Sequence, residues 1–318
     1  MLTYILRRLF QAMIVIIVIT FLVFLVIRLL PGDPILIYLS SQDLQTLTTE
    51  QIDAAKSEFG LDKPLTLQYF NWIGNMFHGD LGMSIFYHQK VSSLVGQRLP
   101  VTLSLGIIAF IIANLLGIIA GCISALRRGK WIDTVVTVIA NIGITVPAFW
   151  LGILLIYFFG LKLNWLPRFG YVSPTTDLVE FILHAILPVV CLAIFPIASI
   201  ARQTRSSILE VTRQDYIRTA WSKGLRERKV VFRHMLKNGL IPIVTLSSIG
   251  LSYILGGSVL IETVFNIPGM GRLGVEAIQS QDYSIIQAII LFTALMVVFV
   301  NLIVDITYGW LDPRIRYS

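Results

Sequence analysis

The chain consists of long apolar runs separated by polar segments. Six runs contain about 18 or more mostly apolar residues, enough for a helix to cross a hydrocarbon layer roughly 30 Å thick. A helix also satisfies its own backbone hydrogen bonds, which lipid cannot do. The pattern therefore predicts six membrane-spanning helices, at Leu9 to Leu30, Val101 to Leu126, Thr134 to Leu161, Phe181 to Ala201, Gly239 to Ile261 and Ser284 to Trp310.

Composition supports a membrane protein. The 318 residues are 56% hydrophobic and 14% charged, and the mean hydropathy of +0.79 is too high for a soluble protein of this length. The first run follows Arg7 and Arg8, but it is too long for a cleaved signal peptide and lacks a small-residue cleavage site. We therefore expect an uncleaved anchor and an all-α, polytopic fold.

The basic residues lie mainly on one side of the predicted helices. If the N-terminus is cytoplasmic, most of the 25 Lys and Arg residues fall on the cytoplasmic side, including ten between Arg202 and Lys237. Basic residues in short loops are retained there, so both termini are predicted to be cytoplasmic. The net charge of +7 is explained by its place beside the membrane, and nucleic acid is not an expected partner.

The spans divide the chain into three parts. Residues 1–30 hold an N-terminal tail and the first span, residues 31–100 an extracytoplasmic helical region, and residues 101–318 a five-helix core with a cytoplasmic loop at 202–238. In the second part, Gln51 to Phe59 predicts a short helix that Gly60 ends. This part lacks the apolar mass of an independent domain. We expect it to pack on the outer helix ends and to receive a soluble partner; the alternative is a partly ordered loop without one.

Several residues inside the apolar runs are polar or bend helices. Polar groups are costly in lipid unless they face protein or water, and proline bends helices that line cavities. Such residues predict a translocation pathway, although some can instead form hydrogen bonds between helices. The candidates are Asn114, Asn141, Pro147, Ser199, Thr245, Ser248 and Ser252.

The segment from Asp215 to Pro242 is too polar to enter the bilayer. Gly224 interrupts it, and an apolar helix face is predicted after the glycine, formed by Val230, Val231, Phe232, Met235 and Leu236. A charged segment with an apolar face favours binding to another protein. The alternative is a solvated helix pair whose basic face lies against anionic lipid, worth roughly 1 kcal/mol per basic group.

Within this segment, Arg218-Thr219-Ala220 is followed after three residues by Gly224. The pattern resembles the cytoplasmic signature of ABC-type importer permeases, Glu-Ala-Ala, three residues, then Gly, in the Arg-Thr-Ala form of the peptide-and-nickel permease family. The Glu and the first Ala are replaced here, and Lys237 stands where the wider family has a closing Pro. Further matches follow in order along the chain: Met1 to Leu9, Pro31 to Pro34, Gly60 to Pro64, Gly79 to Ser84, Pro147 to Gly152, His234 to Pro242, Pro268 to Arg272, Asp282-Tyr283 and Asp312 to Arg314.

The resemblance implies a type I ABC importer permease fold in the bacterial cell (inner) membrane. It implies a pore-forming subunit that moves small peptides or peptide-like solutes into the cell. The implied partners are a second homologous permease, two ATPase subunits that carry ATP and Mg, and an extracytoplasmic solute-binding protein. A nickel or other metal-chelate importer and a glutathione importer stay open within the same family. The loop is implied to form a coupling helix in a groove of the ATPase, through Arg218, Thr219, Ala220, Lys223, Gly224, Leu225, Arg226, Val230 and Val231.

No pattern in the chain predicts an enzyme. There is no Gly-x-x-x-x-Gly-Lys-[Ser/Thr] phosphate loop, and the Gly-x-Gly-x-x-Gly pattern from Gly269 to Gly274 lies in an outer loop rather than between a strand and a helix. The four His residues occur singly, so no metal site, catalytic group or cofactor is expected on this chain. A different class, the ion-coupled carrier, should show several mid-membrane ionisable residues or internal repeats. The sequence displays neither clearly.

Overall fold

The computed structural model describes residues 2–29, 57, 62–239 and 241–311, and these residues are almost entirely helical. Two stretches are π-helical, Ile156–Lys162 and Val231–Met235. The helices are α1 (Leu2–Leu29), α2 (Leu65–Phe77), α3 (Val91–Leu126), α4 (Trp131–Thr145), α5 (Ala148–Leu155), α6 (Leu178–Thr212), α7 (Asp215–Ser222), α8 (Glu227–Val230), α9 (Leu236–Gly239), α10 (Ile241–Val264), α11 (Met270–Gln279) and α12 (Tyr283–Leu311). The all-α prediction is confirmed. Apart from Ser57, the predicted helix from Gln51 to Phe59 lies outside the described residues, as do the motifs at 31–34 and 312–314.

Five of the described helices are long and apolar enough to cross a membrane: α1, α3, α6, α10 and α12. The sixth predicted span, from Thr134 to Leu161, is not one straight helix. It is a pair, α4 and then α5 with its π-helical extension, bent by 102°. The bend lies at Pro147, which has no N–H to continue the helix and keeps Val146 extended (φ −76°, ψ 122°). Counted as one span, the pair completes the predicted six.

Helix α3 begins ten residues before the predicted span and runs through Pro100. The stretch Val91 to Leu99 is too polar to be recognised as part of a membrane helix. It becomes helical because Val91, Leu94 and Val95 are buried in an apolar cluster with residues of α11 and α12. Tertiary packing thus extends the helix beyond its apolar run.

The described residues form two compact units. One contains residues of Met1–Leu9, Thr102–Ile267 and Phe299–Ser318, and the other contains residues of Phe10–Val101 and Pro268–Val298. The predicted division into 1–30, 31–100 and 101–318 follows the membrane and stays a prediction. The two units group the residues differently, because most of α1 and the first part of α12 belong with the segment before α3.

In the second unit, a buried carboxylate fixes the segment before α3. Asp282 accepts hydrogen bonds from Ser84 Oγ (2.6 Å), the Phe86 N–H (3.0 Å) and the Ile285 N–H (3.3 Å), and it is fully buried. The motifs that start at Gly79 and at Asp282 therefore meet in space. A carboxylate that accepts several bonds holds its donors more strongly than a neutral acceptor.

A second polar contact supports the same segment. Tyr87 Oη donates to Glu276 of α11 (2.7 Å), and Arg272 pairs with the same carboxylate (2.8 Å). Burial, aided by the bond to Glu276, raises the pKa of Tyr87 to about 12. The phenol therefore stays protonated and donates throughout the physiological range.

The Asp282→Asn variant is expected to loosen the segment at 78–90. Asparagine keeps the shape but turns one accepting oxygen into an NH2 group, which then faces a backbone N–H or the Ser84 hydroxyl. Losing charged hydrogen bonds in a buried site should cost about 3 kcal/mol, seen as a lower thermal midpoint in detergent and faster proteolytic nicking at 78–90. The exposed Ser93→Ala, which removes only a 3.4 Å contact with Gln97, is the control. Equal protease resistance of Asp282→Asn and the parent would contradict the role of Asp282.

In the first unit, α3 and α6 approach closely through glycine. An added Cβ at Gly121 would lie 2.5 Å from the Ala201 carbonyl oxygen and from Thr204 Cβ, and one at Gly117 would lie 2.8 Å from Ile200. The i, i+4 spacing places both glycines on one helix face, and small residues allow such contact between membrane helices. The two glycines therefore permit the close approach of α3 and α6.

Candidate functional site

Helix α7 ends in a turn at Gly224 that explains the spacing of the sequence signature. The N–H of Leu225 donates to the carbonyl of Ala220 (3.4 Å), and the N–H of Gly224 donates to that of Trp221 (2.9 Å). Gly224 has φ of +69°. Two such bonds and a left-handed glycine form a Schellman helix cap. In Ala-x-x-x-Gly, the Ala position supplies the accepting carbonyl and Gly224 supplies a backbone conformation that other residues rarely adopt.

An apolar cluster joins this turn to the ends of α3 and α6. Burying each large aliphatic side chain contributes roughly 1.5–3 kcal/mol, so the segment after α6 is held as a folded unit. Leu225, which follows the left-handed glycine, packs against the cluster as is usual for this cap. The buried members are Ala125 of α3, Ile208 of α6, and Ile217, Ala220, Val230, Val231 and Met235 of the segment after α6.

The opposite face of the segment is exposed and positively charged. Residues 202–238 contain ten basic and three acidic residues, so their net charge equals the +7 of the whole chain. Phe232 is 65% exposed, and the Arg228 guanidinium lies 5.9 Å from the centre of its ring. An open concavity of about 670 Å³ runs over this face. We name this face the basic surface; it consists of Arg218, Thr219, Lys223, Gly224, Arg226, Arg228, Lys229, Phe232 and Arg233.

The structure separates the nine predicted coupling residues into two groups. Five are on the basic surface, and Leu225 is half-buried at its edge. Ala220, Val230 and Val231 are instead buried in the apolar cluster. These three side chains support the turn from beneath and are not accessible to another protein. Contact of the exposed five with an ATPase stays a prediction.

The prediction of one apolar face from Val230 to Leu236 is wrong at Phe232. The stretch from Val231 to Met235 is π-helical, and its wider i, i+5 turn places Met235 on the side of Val230 and leaves Phe232 on the other side. Val230, Val231 and Met235 are buried, whereas Phe232 is exposed. Sequence reasoning thus missed Phe232 and its neighbours Arg228, Lys229 and Arg233 as surface residues. An α-helical projection does not separate Phe232 from Met235, because the separation depends on the π-helical turn.

The seven predicted pathway residues do not come together on one face. Asn114 of α3 accepts a hydrogen bond from Ser247 of α10, so it joins two helices. Ser248 is buried and bonds to the Thr245 carbonyl, and Ser252 bonds to the Ser248 carbonyl. Ser199 is half-buried on α6. The exposed members are Asn141, Pro147 and Thr245. A role of the seven residues in a pathway stays a prediction.

Two other observations concern chemistry. Within the described ranges, no group of three or more His, Cys, Asp or Glu side chains could hold a metal ion. The Gly269 to Gly274 pattern opens α11, with Gly269 as its N-cap and no strand before it. The arrangement that dinucleotide binding needs is therefore absent at this pattern.

The fold resembles that of a solved ABC importer. An inward-facing structure of the MetNI methionine ABC transporter matches with a TM-score of 0.57, covering 69% of this chain and 96% of that chain. The sequence identity is 17%, so the match shows the fold alone. A second crystal form of the same transporter matches equally well, at 18% identity. The class that the fold defines is a polytopic, all-α membrane protein.

The sequence matches identify the family. Residues 113–317 match the binding-protein-dependent transport system inner membrane component, and residues 1–106 match the N-terminal part of such membrane components. The chain belongs to this family and is a permease subunit of an ABC importer of the peptide family. It is therefore the membrane component of a transport system and not an enzyme.

Relatives match over their full length. A Brucella abortus protein named for a peptide transport system permease is 42% identical over 314 residues, 99% of each chain. The di/tripeptide transport system permease protein DppB of Pseudomonas aeruginosa is 37% identical over 338 residues, 100% of each chain. A peptide ABC transporter permease protein of Sinorhizobium fredii is 41% identical over 314 residues, 99% of each chain.

Proposed function

We propose that this chain is one of two pore-forming subunits of an importer that moves small peptides or peptide-like solutes into the bacterial cell. The energy comes from hydrolysis of ATP, which is bound with Mg on two separate ATPase subunits. A second, homologous permease completes the pore, and an extracytoplasmic binding protein delivers the solute. The observation that carries the proposal is the full-length similarity to permeases named for peptide transport.

The basic surface is the proposed contact with the ATPase. It is exposed, it is supported by the cluster beneath the Gly224 turn, and six of its nine residues are basic. Positive charge of this density favours an acidic groove on the partner. Since basic segments are retained on the inner side, we propose that the surface and both termini face the cytoplasm in a cell (inner) membrane protein.

The solute is proposed to be a peptide because the relatives compared are named for peptides. Nickel or other metal chelates and glutathione are the alternatives within the family. Within the described ranges the chain has no cluster suited to hold a metal ion. Selection between these solutes is assigned to the binding protein.

Reconstitution tests the proposal. The tagged chain is purified from its native membrane with its partner subunits, placed in liposomes, and supplied with binding protein and labelled di- and tripeptides, glutathione or nickel chelate. We expect peptide uptake that requires ATP and the binding protein. Uptake by the permease without any ATPase subunit would favour an ion-coupled carrier. ATP-driven uptake of only glutathione or only the chelate would replace the proposed solute.

A further inference from the structure

A buried ion pair joins α4 to α6 at their ends nearest the basic surface. Arg205 of α6 donates two hydrogen bonds to Asp133 of α4, from Nε to Oδ1 (2.7 Å) and from Nη2 to Oδ2 (2.9 Å). The Asp133 side chain is 8% exposed and that of Arg205 is 32% exposed. Such a bidentate contact fixes both the distance and the direction between the guanidinium and the carboxylate.

Two further groups donate hydrogen bonds to the Asp133 carboxylate. Ser124 Oγ of α3 donates to Asp133 Oδ1 (2.5 Å), and the Gly129 N–H donates to Oδ2 (3.0 Å). Both come from chain within nine residues of Asp133 and fix the turn between α3 and α4. Arg205 is 72 residues away. It is therefore the donor that connects this turn to another part of the fold.

The remaining contact between α4 and α6 is smooth and apolar. Gly143 of α4 faces Ala198 and Ile194 of α6, and a cavity of about 160 Å³ between α3, α4 and α6 is lined entirely by apolar residues. Apolar contact is not directional, so it fixes the register of α4 on α6 less strictly than a bidentate ion pair does. Across the fully described α4 and α6, Asp133–Arg205 is the one hydrogen-bonded or ionic contact.

The two helices lead to different parts of the transporter. Ile208, three residues after Arg205 on α6, lies in the cluster beneath the basic surface. Helix α4 leads in the other direction to the 102° bend at Pro147. A displacement of the basic surface that moves the end of α6 can reach the near side of this bend through α4, whereas α6 also packs directly on α5 beyond the bend, near Gly152 and Cys191.

We propose that the Asp133–Arg205 ion pair is the link that transmits displacement of the basic surface from α6 to α4 and the bend at Pro147. The inference rests on the proposed function. Asp133 and Arg205 act as positioning residues: they touch neither solute nor nucleotide, and they set the register of α4 on α6. Without the pair, α6 moves with the ATPase while α4 slips along the apolar contact.

The test compares Asp133→Asn with Asp133→Glu in the reconstituted complex. The readout is the amount of solute imported per ATP hydrolysed. Asparagine has the volume of aspartate but no charge, whereas glutamate keeps the charge and is longer by one methylene. If the ion pair transmits the displacement, Asp133→Asn should lower the amount of solute imported per ATP about tenfold, within the 5–150-fold range common for coupling between sites. Asp133→Glu should lower this amount less. A packing role predicts the opposite order, so a higher ratio for Asn than for Glu overturns the proposal.

Further variants keep the outcome interpretable. Arg205→Lys keeps the positive charge but removes the bidentate contact. Because the Arg205 side chain is partly exposed, this variant can test the ion pair if the Asp133→Asn complex does not assemble. Arg205→Lys should also lower the amount of solute imported per ATP hydrolysed. An unchanged amount in an assembled Arg205→Lys complex overturns the proposed transmission through the ion pair. Glu180→Gln, at an exposed pair with His184 on the same helix, is the matched control and should behave as the parent. Absence of ATP-driven uptake by the unmodified complex would refute the proposed function instead.

Discussion

The Gly121→Ala variant is expected to prevent normal assembly of the first unit, although it adds a single methyl group. The new Cβ would lie 2.5 Å from the Ala201 carbonyl oxygen, and a backbone atom cannot move away by changing rotamer. Overpacking of this kind costs about 3 kcal/mol. We expect a low yield of monodisperse protein after detergent extraction and a reduced thermal midpoint for what remains.

Gly96→Ala provides the matched control. Gly96 is on the same helix, and an added Cβ there would meet no atom within 4 Å. Replacing a helical glycine by alanine in open space should stabilise the helix by about 1 kcal/mol. If Gly96→Ala and Gly121→Ala show the same midpoint and yield, the close contact between α3 and α6 is not what Gly121 provides.

The Gly224→Val variant is expected to uncouple ATP hydrolysis from uptake while leaving membrane insertion intact. Valine at φ of +69° is strained, at a cost of about 1–2 kcal/mol, so the cap at the end of α7 should rearrange and displace the basic surface. Uptake should fall about tenfold, as for other losses of coupling between sites. The measurements are the amount of complex in the membrane, ATP hydrolysis and solute uptake.

The Gly224→Asn variant distinguishes two reasons for a glycine at position 224: its left-handed backbone conformation and close approach by a bound protein. Asparagine adopts the left-handed conformation more readily than valine, and an added Cβ at Gly224 would meet no atom of this chain within 4 Å. We therefore expect Asn to retain most uptake. Equal loss with Asn and Val would show that a bound protein approaches Gly224 too closely for any side chain. Normal uptake with Val would contradict the role of the turn.

The number and approximate position of the spans could be predicted because lipid imposes a minimum length of apolar helix. The bend at Pro147 could not be placed with the same certainty, since a proline in an apolar run sometimes kinks a helix slightly and sometimes breaks it. The start of α3 at Val91 depends on contacts with α11 and α12. Because these contacts join residues that are far apart in the chain, no local sequence pattern predicts them.

The candidate site was predictable where the signal was local. Ala220 and Gly224 form a cap through atoms five residues apart or fewer, so their spacing is visible in the sequence. The division of the segment into a buried and an exposed side was less visible, because it depends on Ala125 and Ile208 beneath it. Asp133 and Arg205 are 72 residues apart, and each appears alone at the end of an apolar run.

The bond between Ser84 and Asp282 has a consequence for biogenesis, because the two residues are 198 positions apart. At about 5–20 residues per second, synthesis of the intervening chain takes roughly 10–40 s. During that interval the residues around Ser84 have left the ribosome without their acceptor. Asp282, just before α12, therefore binds a segment translated 198 residues earlier, and a chain that terminates before Asp282 leaves that segment accessible to proteases.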